Sequence, residues 1–186
     1  MNLFSNREQQ LLSLFSHDSD RAMDTLYQEY ADYLAGVCGR YVRGEDALKD
    51  VLQESFIKIF MQISRFEYRG RGSLKAWLTR IVVNESIDSI RKESVRNTVD
   101  MGENLPEIPD EPPETDGLTA DVLEKLILEL PPGYRTVFNL YVIEGLSHQE
   151  IARQLGIKPA SSASQFHHAR HMLAAKIKDY KLKHRT

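Results

Sequence analysis

The chain has 186 residues, of which 41% are hydrophobic and 27% charged, and its formal net charge is -3. This length allows one mid-sized domain or two small domains with separate cores. No stretch approaches the roughly 18 consecutive apolar residues of a membrane span, and the polar start lacks the apolar run of a signal peptide. We therefore expect a cytoplasmic protein without membrane insertion. The single cysteine, Cys38, excludes an internal disulfide and a thiolate zinc site.

The first strong pattern is a pair of amphipathic helices. Apolar side chains recur at steps of three and four in residues 20–43, which predicts one helix with Cys38 on its apolar face. A glycine and two acids at residues 44–46 mark a stop and a new start. The same spacing returns from Leu48 to Ile63, so we expect a second helix that packs on the first.

A loop and a third helix follow. Residues 66–72 are polar, aromatic and glycine-rich, which predicts a loop, and Ser73 is predicted to cap a helix that runs to about Glu93. At about 100° per residue, one narrow sector of this helix combines the only tryptophan with polar side chains. The members of this sector are Trp77, Arg80, Asn84, Asp88 and Arg91.

The polar sector of the third helix suits unpaired nucleic acid. A ring on which a base stacks contributes about 1–3 kcal/mol per base, and polar groups beside it can hydrogen-bond the edge of an extruded base. Tryptophan is usually mostly buried, so a place for Trp77 at the rim of the core is the alternative.

Residues 97–120 have the composition of a linker. They contain four prolines and many acids, with only scattered aliphatic residues, which predicts an extended segment. Because no alternating period of two appears anywhere, we expect an all-α fold of two small helical domains joined by this acidic linker. The predicted boundaries are 1–96 for the first domain, 97–120 for the linker and 121–186 for the second domain.

The second domain contains a helix-turn-helix pattern. Two helices are predicted, one from Leu123 to a stop at Pro131 and one over residues 134–143. Residues 147–150 then form a capping box at the start of a short helix, Gly156 suits a left-handed turn, and Pro159 fits the first position of a longer helix. Such a longer helix can enter the major groove of DNA.

The longer helix offers short polar groups first and cations later, in a segment whose charge is mostly basic after Gly156. Serine, glutamine and histidine can bond base edges, whereas arginine and lysine neutralise phosphates. A solvated face of a core helix is the alternative. The candidate DNA contacts are Ser161, Ser162, Ser164, Gln165, His167, His168, Arg170 and His171.

Two stretches of the second domain carry a family resemblance. Residues 130–138, LPPGYRTVF, and 144–152, EGLSHQEIA, resemble the C-terminal domain of sigma factors of the extracytoplasmic function group. The resemblance implies that this domain reads the minus-thirty-five promoter element. Such proteins usually carry basic residues at the positions of Ala163, Gln165 and His168, so we expect a weaker and less salt-dependent contact here.

The first domain carries two further resemblances. Residues 50–56, DVLQESF, resemble the sigma segment that docks on the coiled-coil clamp of the largest polymerase subunit. The implied polymerase contacts are Asp50, Gln53, Glu54 and Phe56. From the residues alone, Asp50, Gln53 and Glu54 form a polar stripe that also fits an ordinary solvated helix face.

Residues 72–84, GSLKAWLTRIVVN, look like the sigma segment that captures and melts the minus-ten element. The resemblance implies that the loop forms a pocket for an extruded base, that Asn84 helps to hold this base, and that Arg91 and Lys92 contact the DNA backbone. The loop residues implied are Phe66, Tyr68, Arg69 and Arg71. The matched blocks cover roughly residues 22–95 and 123–178, with no middle domain between them.

These features predict a sigma factor, which is not an enzyme and needs no cofactor. Its expected partners are bacterial core RNA polymerase, promoter DNA and, from the resemblance alone, an anti-sigma factor. An enzyme is a weak rival, because the chain has no phosphate-binding glycine loop and its histidines do not pair with carboxylates at zinc-ligand spacing. A regulator that binds duplex DNA by itself is the second rival, and reversing Asp50 and Glu54 to lysine discriminates between the two.

Overall fold

The computed structural model describes residues 6–96 and 117–184, with side chains from residue 7 and up to residue 92 in the first range. These residues form eight α-helices and one 3₁₀ turn and contain no strand, which confirms the predicted all-α fold. The chain divides into two compact units, Met1–Glu93 and Ser94–Thr186. Most of the predicted linker lies outside the described residues.

The first unit contains four helices. The first, α1, was not predicted, because its nine residues are mostly polar and show little periodicity. Asp18 caps the next helix by accepting a hydrogen bond from the backbone N–H of Arg21 at 3.1 Å. The bounds are α1 Asn6–Leu14, α2 Ser19–Gly39, α3 Glu45–Gln62, with the 3₁₀ turn Ile63–Arg65 after it, and α4 Ser73–Arg96.

The core of the first unit is formed by the apolar faces that the spacing predicted. Cys38 is fully buried, as expected, and burial raises the pKa of its thiol while the hydrogen bond from the Ser86 hydroxyl lowers it. Full burial of a leucine, isoleucine or valine side chain stabilises a fold by about 1.5–3 kcal/mol. The largest fully buried apolar side chains of this unit are Leu26, Leu34, Val37, Tyr41, Ile59, Leu74, Leu78 and Val82.

Polar contacts join α4 to its neighbours. The Tyr33 hydroxyl of α2 is 3.0 Å from the Thr79 hydroxyl, and the Lys75 ammonium lies 3.9 Å from the centre of the Tyr33 ring. The Lys58 ammonium of α3 pairs with the Glu85 carboxylate, and this hydrogen bond is the main reason that the pKa of Lys58 is raised. These contacts fix which face of α4 remains open to solvent.

Within residues 117–184, the second unit also forms four helices. Thr119 caps α5 through the N–H of Val122, and Pro132 occupies the first turn of α6, where a missing N–H costs nothing. The bounds are α5 Ala120–Leu128, α6 Pro132–Val142, α7 His148–Leu155 and α8 Pro159–Lys183. A core shared by α5, α6 and α8 contains Leu126, Leu130, Tyr134, Phe138, Ala169, Leu173 and Ile177.

Arg135 is a charged residue inside this second core, with 2% of its surface exposed. Its guanidinium Nη1 donates to the carbonyl oxygen of Leu128 at 2.8 Å and to that of Leu130 at 3.2 Å. The last carbonyls of a helix have no partner within the helix. Arg135 therefore satisfies the end of α5, at the point where the two prolines prevent the helix from continuing.

Candidate nucleic-acid interface

The polar stripe on α3 faces solvent. Asp50, Gln53 and Glu54 are all exposed, and Ile57 and Met61 extend the same helical face with 45% and 71% of their surface exposed. A helix face that mixes carboxylates with exposed apolar groups is typical of a surface that binds a partner.

Phe56 does not belong to this exposed stripe. Its side chain is buried, and its ring centre lies 4.9 Å from that of Tyr27 on α2. The expectation that Phe56 contacts polymerase is therefore corrected: Phe56 packs α3 against α2. On a helix, position 56 lies about 200° from position 54 and so faces the interior.

The loop before α4 is held by hydrogen bonds at its end. Gly70 and Gly72 have φ angles of +115° and +84°, a backbone conformation that residues other than glycine rarely adopt. The hydroxyl of Ser73 accepts a hydrogen bond from the backbone N–H of Arg69 at 3.2 Å. Ser73 therefore closes the loop, and the prediction that it caps α4 was wrong. The carboxylate of Glu8, in α1, accepts from the N–H of Gly72 at 3.0 Å.

Trp77 joins the loop to α4. Its ring centre lies 5.1 Å from that of Phe66, and both side chains are half-buried. The contact with Phe66 leaves part of the Trp77 ring accessible, so the stacking of a base on this ring stays a prediction. Tyr68 is also half-buried, whereas Arg69 and Arg71 are exposed.

The remaining polar side chains of α4 follow the predicted sector. Arg80 and Asn84 are exposed, and so is Lys92. The Arg91 guanidinium lies 3.8 Å from the carboxylate of Asp88, one helical turn earlier. The fold therefore brings together an aromatic pair, an amide and several cations along one solvent-facing line.

The predicted helix-turn-helix is present in the second unit. The Ser147 hydroxyl accepts from the N–H of Glu150 at 3.3 Å, and the Glu150 carboxylate accepts from the N–H of Ser147 at 2.9 Å, which completes the capping box. These bonds from Ser147 lower the pKa of the Glu150 carboxyl. Gly156 has φ +68°, and Pro159 lies in the first turn of α8.

An aromatic group joins the helices of this motif. The Tyr141 ring lies 4.6 Å from His148 and 4.4 Å from Phe166, measured between ring centres. A hydrogen bond of 3.0 Å connects His148 Nδ1 to the hydroxyl of Ser162. This group was not predicted, because the periodicity of a single helix does not show which side chains of another helix it meets.

Two of the candidate DNA contacts on α8 are corrected. Ser162 is fully buried against α7, and His171 is 9% exposed, with its ring centre 4.1 Å from that of His167. Neither side chain can face a base edge in this structure. The others remain on the surface: Ser164 and His167 are exposed, and Ser161, Gln165, His168 and Arg170 are half-buried.

Two of the half-buried candidate DNA contacts on α8, His168 and Arg170, also contact aromatic rings of the same unit. His168 stacks on Tyr134 with ring centres 5.6 Å apart, and the Arg170 guanidinium lies 6.0 Å from the centre of the Phe166 ring. Farther along α8, the Lys176 ammonium pairs with the Glu129 carboxylate at 2.6 Å. Part of the positive charge of α8 is therefore paired within the same unit.

The described ranges 6–96 and 117–184 contain no group of three histidine, cysteine or acidic side chains arranged to hold a metal ion. None of their helices combines the length and the apolar character that crossing a membrane requires.

Both units match known protein families. Residues 26–96 match the family described as Sigma-70 region 2, and residues 120–173 match the family described as Sigma-70, region 4. A protein that combines these two regions is a sigma factor, a regulatory factor of transcription initiation. The chain belongs to the sigma-70 family, in the extracytoplasmic function group of RNA polymerase sigma factors.

Curated relatives support this assignment. The chain is 29% identical over 166 residues to the ECF RNA polymerase sigma factor SigE of Mycolicibacterium smegmatis, a match that covers 87% of this chain and 62% of that protein. It is 29% identical over 185 residues to the ECF RNA polymerase sigma-E factor of Haemophilus influenzae, covering 91% of this chain and 95% of the relative.

A solved structure has the same fold. It is the sigma factor RpoE of Bartonella quintana in complex with the anti-sigma factor NepR. The TM-score is 0.50 at 22% sequence identity, and the likeness covers 83% of this chain and 97% of the other. At this identity the likeness supports the helical fold and does not assign any residue.

Proposed function

We propose that this protein binds core RNA polymerase, directs it to specific promoters and promotes opening of the DNA. The observation that carries the proposal is the solvent-facing line on α4, where the Phe66 and Trp77 rings lie beside Arg80 and Asn84. Duplex DNA offers no free base faces to such rings, whereas an unpaired strand does. The first unit is therefore assigned to the minus-ten element and the second to the minus-thirty-five element.

The polymerase contact is assigned to the exposed face of α3. Asp50 and Glu54 supply carboxylates for cationic residues, Gln53 supplies an amide, and the neighbouring Ile57 and Met61 supply apolar area. Apolar contacts at the centre of an interface provide affinity, and complementary charges provide specificity and a fast association.

The opened minus-ten strand is assigned to the loop and α4. A base extruded from the duplex would lie among Phe66, Tyr68 and the loop arginines, with Asn84 as a bonding partner, while Lys92 and Arg91 contact phosphates. The Arg91 and Lys92 side chains are both exposed, so a phosphate can reach them. Extrusion costs a few kcal/mol, and stacking and base-edge bonds offset this cost.

The upstream duplex is assigned to the surface of α8. Ser164 and His167 are exposed at its N-terminal half, and Gln165 and His168 flank them. Short polar groups at this end of a recognition helix are suited to base edges in the major groove. Ser162 and His171 are left out of this assignment because they are buried.

An anti-sigma factor is the third proposed partner. The Bartonella quintana sigma factor was solved in complex with such a protein. In this chain, Ile57, Phe60 and Met61 of α3 have 45%, 49% and 71% of their surface exposed, which is an apolar area that a regulatory partner can cover.

The proposal is tested by transcription in vitro with bacterial core polymerase on a library of promoter fragments. We expect initiation at specific sites that depends on the protein. Reversal of Asp50 and Glu54 to lysine should abolish polymerase binding, because it places like charges against a cationic partner. The matched control is reversal of Asp24 and Asp32, two exposed carboxylates on α2, which makes the same change in net charge and should leave binding intact.

The opposite result is equally clear. Tight binding to duplex DNA without polymerase, together with no specific initiation, would assign the protein to the stand-alone regulators. In that case the Asp50 and Glu54 reversals would leave its DNA affinity unchanged.

A further inference from the structure

The helix α1 reaches the loop of residues 66–72 through the carboxylate of Glu8. Glu8 Oε2 accepts a hydrogen bond from the backbone N–H of Gly72 at 3.0 Å, across 64 residues of sequence. Gly72 immediately precedes α4, so its N–H belongs to the donors at a helix start that have no partner within the helix. Glu8 therefore binds the point where the loop becomes the DNA-facing helix.

The Glu8 side chain is itself held in place, because α1 is packed on α2. Leu11 is 2% exposed, and the Arg7 guanidinium forms a 2.8 Å ion pair with the Glu29 carboxylate of α2. Burial and the nearby carboxylates of Glu8 and Glu29 raise the pKa of the Tyr30 hydroxyl, in agreement with a Glu8 side chain that lies over α2. The carboxylate thus provides a fixed acceptor.

The loop needs such a fixed point. Gly70 and Gly72 both have positive φ angles, and glycine has more accessible backbone states than any other residue. Phe66 is held at the start of the loop by Trp77, and Ser73 bonds the N–H of Arg69 at its end. A binding site made of a flexible loop loses affinity to the entropy of ordering unless it is ordered beforehand.

We propose that Glu8 is a positioning residue, which fixes the Gly72 end of the loop in the conformation that receives the extruded base. On this proposal, α1 promotes DNA opening without touching DNA. The inference rests on the proposed function of the loop and adds to it an element that neither the sequence pattern nor the family match at residues 26–96 includes.

Substitutions at Glu8 separate the hydrogen bond from the charge. Glu8→Ala removes the acceptor, and we expect about tenfold less open complex at unchanged closed-complex affinity, since a charge-assisted hydrogen bond has about this effect. Glu8→Gln keeps an oxygen acceptor and should remain within about twofold of the unchanged protein. Permanganate reactivity measures opening, and footprinting measures the closed complex.

Glu29→Ala is the matched control. It also removes one carboxylate and breaks the ion pair between α1 and α2, yet it leaves the bond to Gly72 in place. We expect normal opening for Glu29→Ala. An equal defect in this variant would show that only the docking of α1 matters, and it would overturn the specific role of Glu8.

Hydrogen exchange of the free full-length chain tests the contact without polymerase. Amides in residues 66–73 should exchange faster in Glu8→Ala than in the unchanged protein, Glu8→Gln or Glu29→Ala. Unchanged exchange in Glu8→Ala would overturn the proposal. Stronger DNA binding by both Glu8 variants would overturn it as well, because Glu8 would then act by repelling phosphate.

Tyr68→Ala distinguishes a failure of this inference from a failure of the proposed function. If Tyr68→Ala impairs opening and Glu8→Ala does not, the loop has its proposed role and Glu8 has none. If neither variant impairs opening, the proposed role of the loop is wrong, and the role of Glu8 is wrong with it. If Glu8→Ala impairs opening and Tyr68→Ala does not, Glu8 acts at a place other than this loop.

Discussion

Two polar side chains three residues apart on α8 have different surroundings. Ser162 is fully buried and bonded to His148 of α7, whereas Gln165 is half-buried at the candidate DNA surface. We expect Ser162→Ala to lower the free energy of unfolding by about 1 kcal/mol and to leave promoter preference unchanged. Gln165→Ala should change preference for the upstream element at little cost in stability.

Chemical denaturation and binding to a set of upstream-element variants separate the two effects. A change in base preference in Ser162→Ala would show that α8 reorganises on DNA. A uniform loss of affinity over all sequences in Gln165→Ala would mean that this residue contacts phosphate instead of a base edge.

At the scale of the residue, the sequence could not distinguish these two positions. Both carry short polar groups on one helix, and the direction in which each points depends on where α7 packs. Phe56 and His171 were misplaced for the same reason. Burial is set by contacts between elements that are distant in sequence, whereas the periodicity of a single helix describes only its own faces.

At the scale of the element, the start of α7 depends on one short-range motif. The capping box of Ser147 and Glu150 satisfies N–H groups that the helix leaves without partners. We expect Ser147→Ala to lower the free energy of unfolding by about 1 kcal/mol, the usual effect of losing a capping hydroxyl. Thr119→Ala, which removes the cap of α5 in the same unit, provides the comparison.

The same motif predicts a dependence on pH. The pKa of the Glu150 carboxyl is lowered in the folded protein, so its stabilising effect is present above the ordinary value of 4.5 and is lost as the pH falls through the lower, folded value. The difference in stability between the unchanged protein and Ser147→Ala should therefore shrink below about pH 4.5. A difference that stays constant to lower pH would show that Glu150 contributes nothing to the cap.

Elements with local signals were predictable. The capping box, the left-handed Gly156 and Pro159 in the first turn of α8 all follow from residues close together in sequence, and the structure confirms them. In contrast, α1 is short and polar, and its stability comes from packing on α2. The role of Ser73 was wrong because its hydroxyl bonds backward to Arg69, which only the folded loop makes possible.

At the scale of the whole molecule, the sequence was sufficient for the fold class and the family. Two separate sets of apolar spacings predict two helical cores, and the family matches lie within residues 26–96 and 120–173. The candidate site was predictable only in part. The exposed line on α4 follows from one helix, whereas the contact from Glu8 and the aromatic group around Tyr141 need the tertiary structure.

The charge of the whole chain makes a final prediction. Its net charge is -3, and in the helix-turn-helix unit Lys176 is paired with Glu129 at 2.6 Å. Residues 159–169, the first half of the candidate recognition helix, contain no lysine or arginine, so few cations are placed to displace counterions from a bound duplex. Without polymerase, we expect affinity for an upstream duplex to fall only about tenfold between about 50 and 200 mM salt, as for roughly two phosphate contacts.

A matched variant makes this test quantitative. Ala163 is exposed on the DNA-facing side of α8, so Ala163→Lys should add about one phosphate contact and steepen the salt dependence accordingly. Such weak binding by one unit is sufficient if polymerase holds both units on one promoter, because the second contact then forms at a high effective concentration. A loss of a thousandfold or more in the unchanged protein would contradict this, since it would require roughly five or more phosphate contacts, which the first half of α8 does not supply.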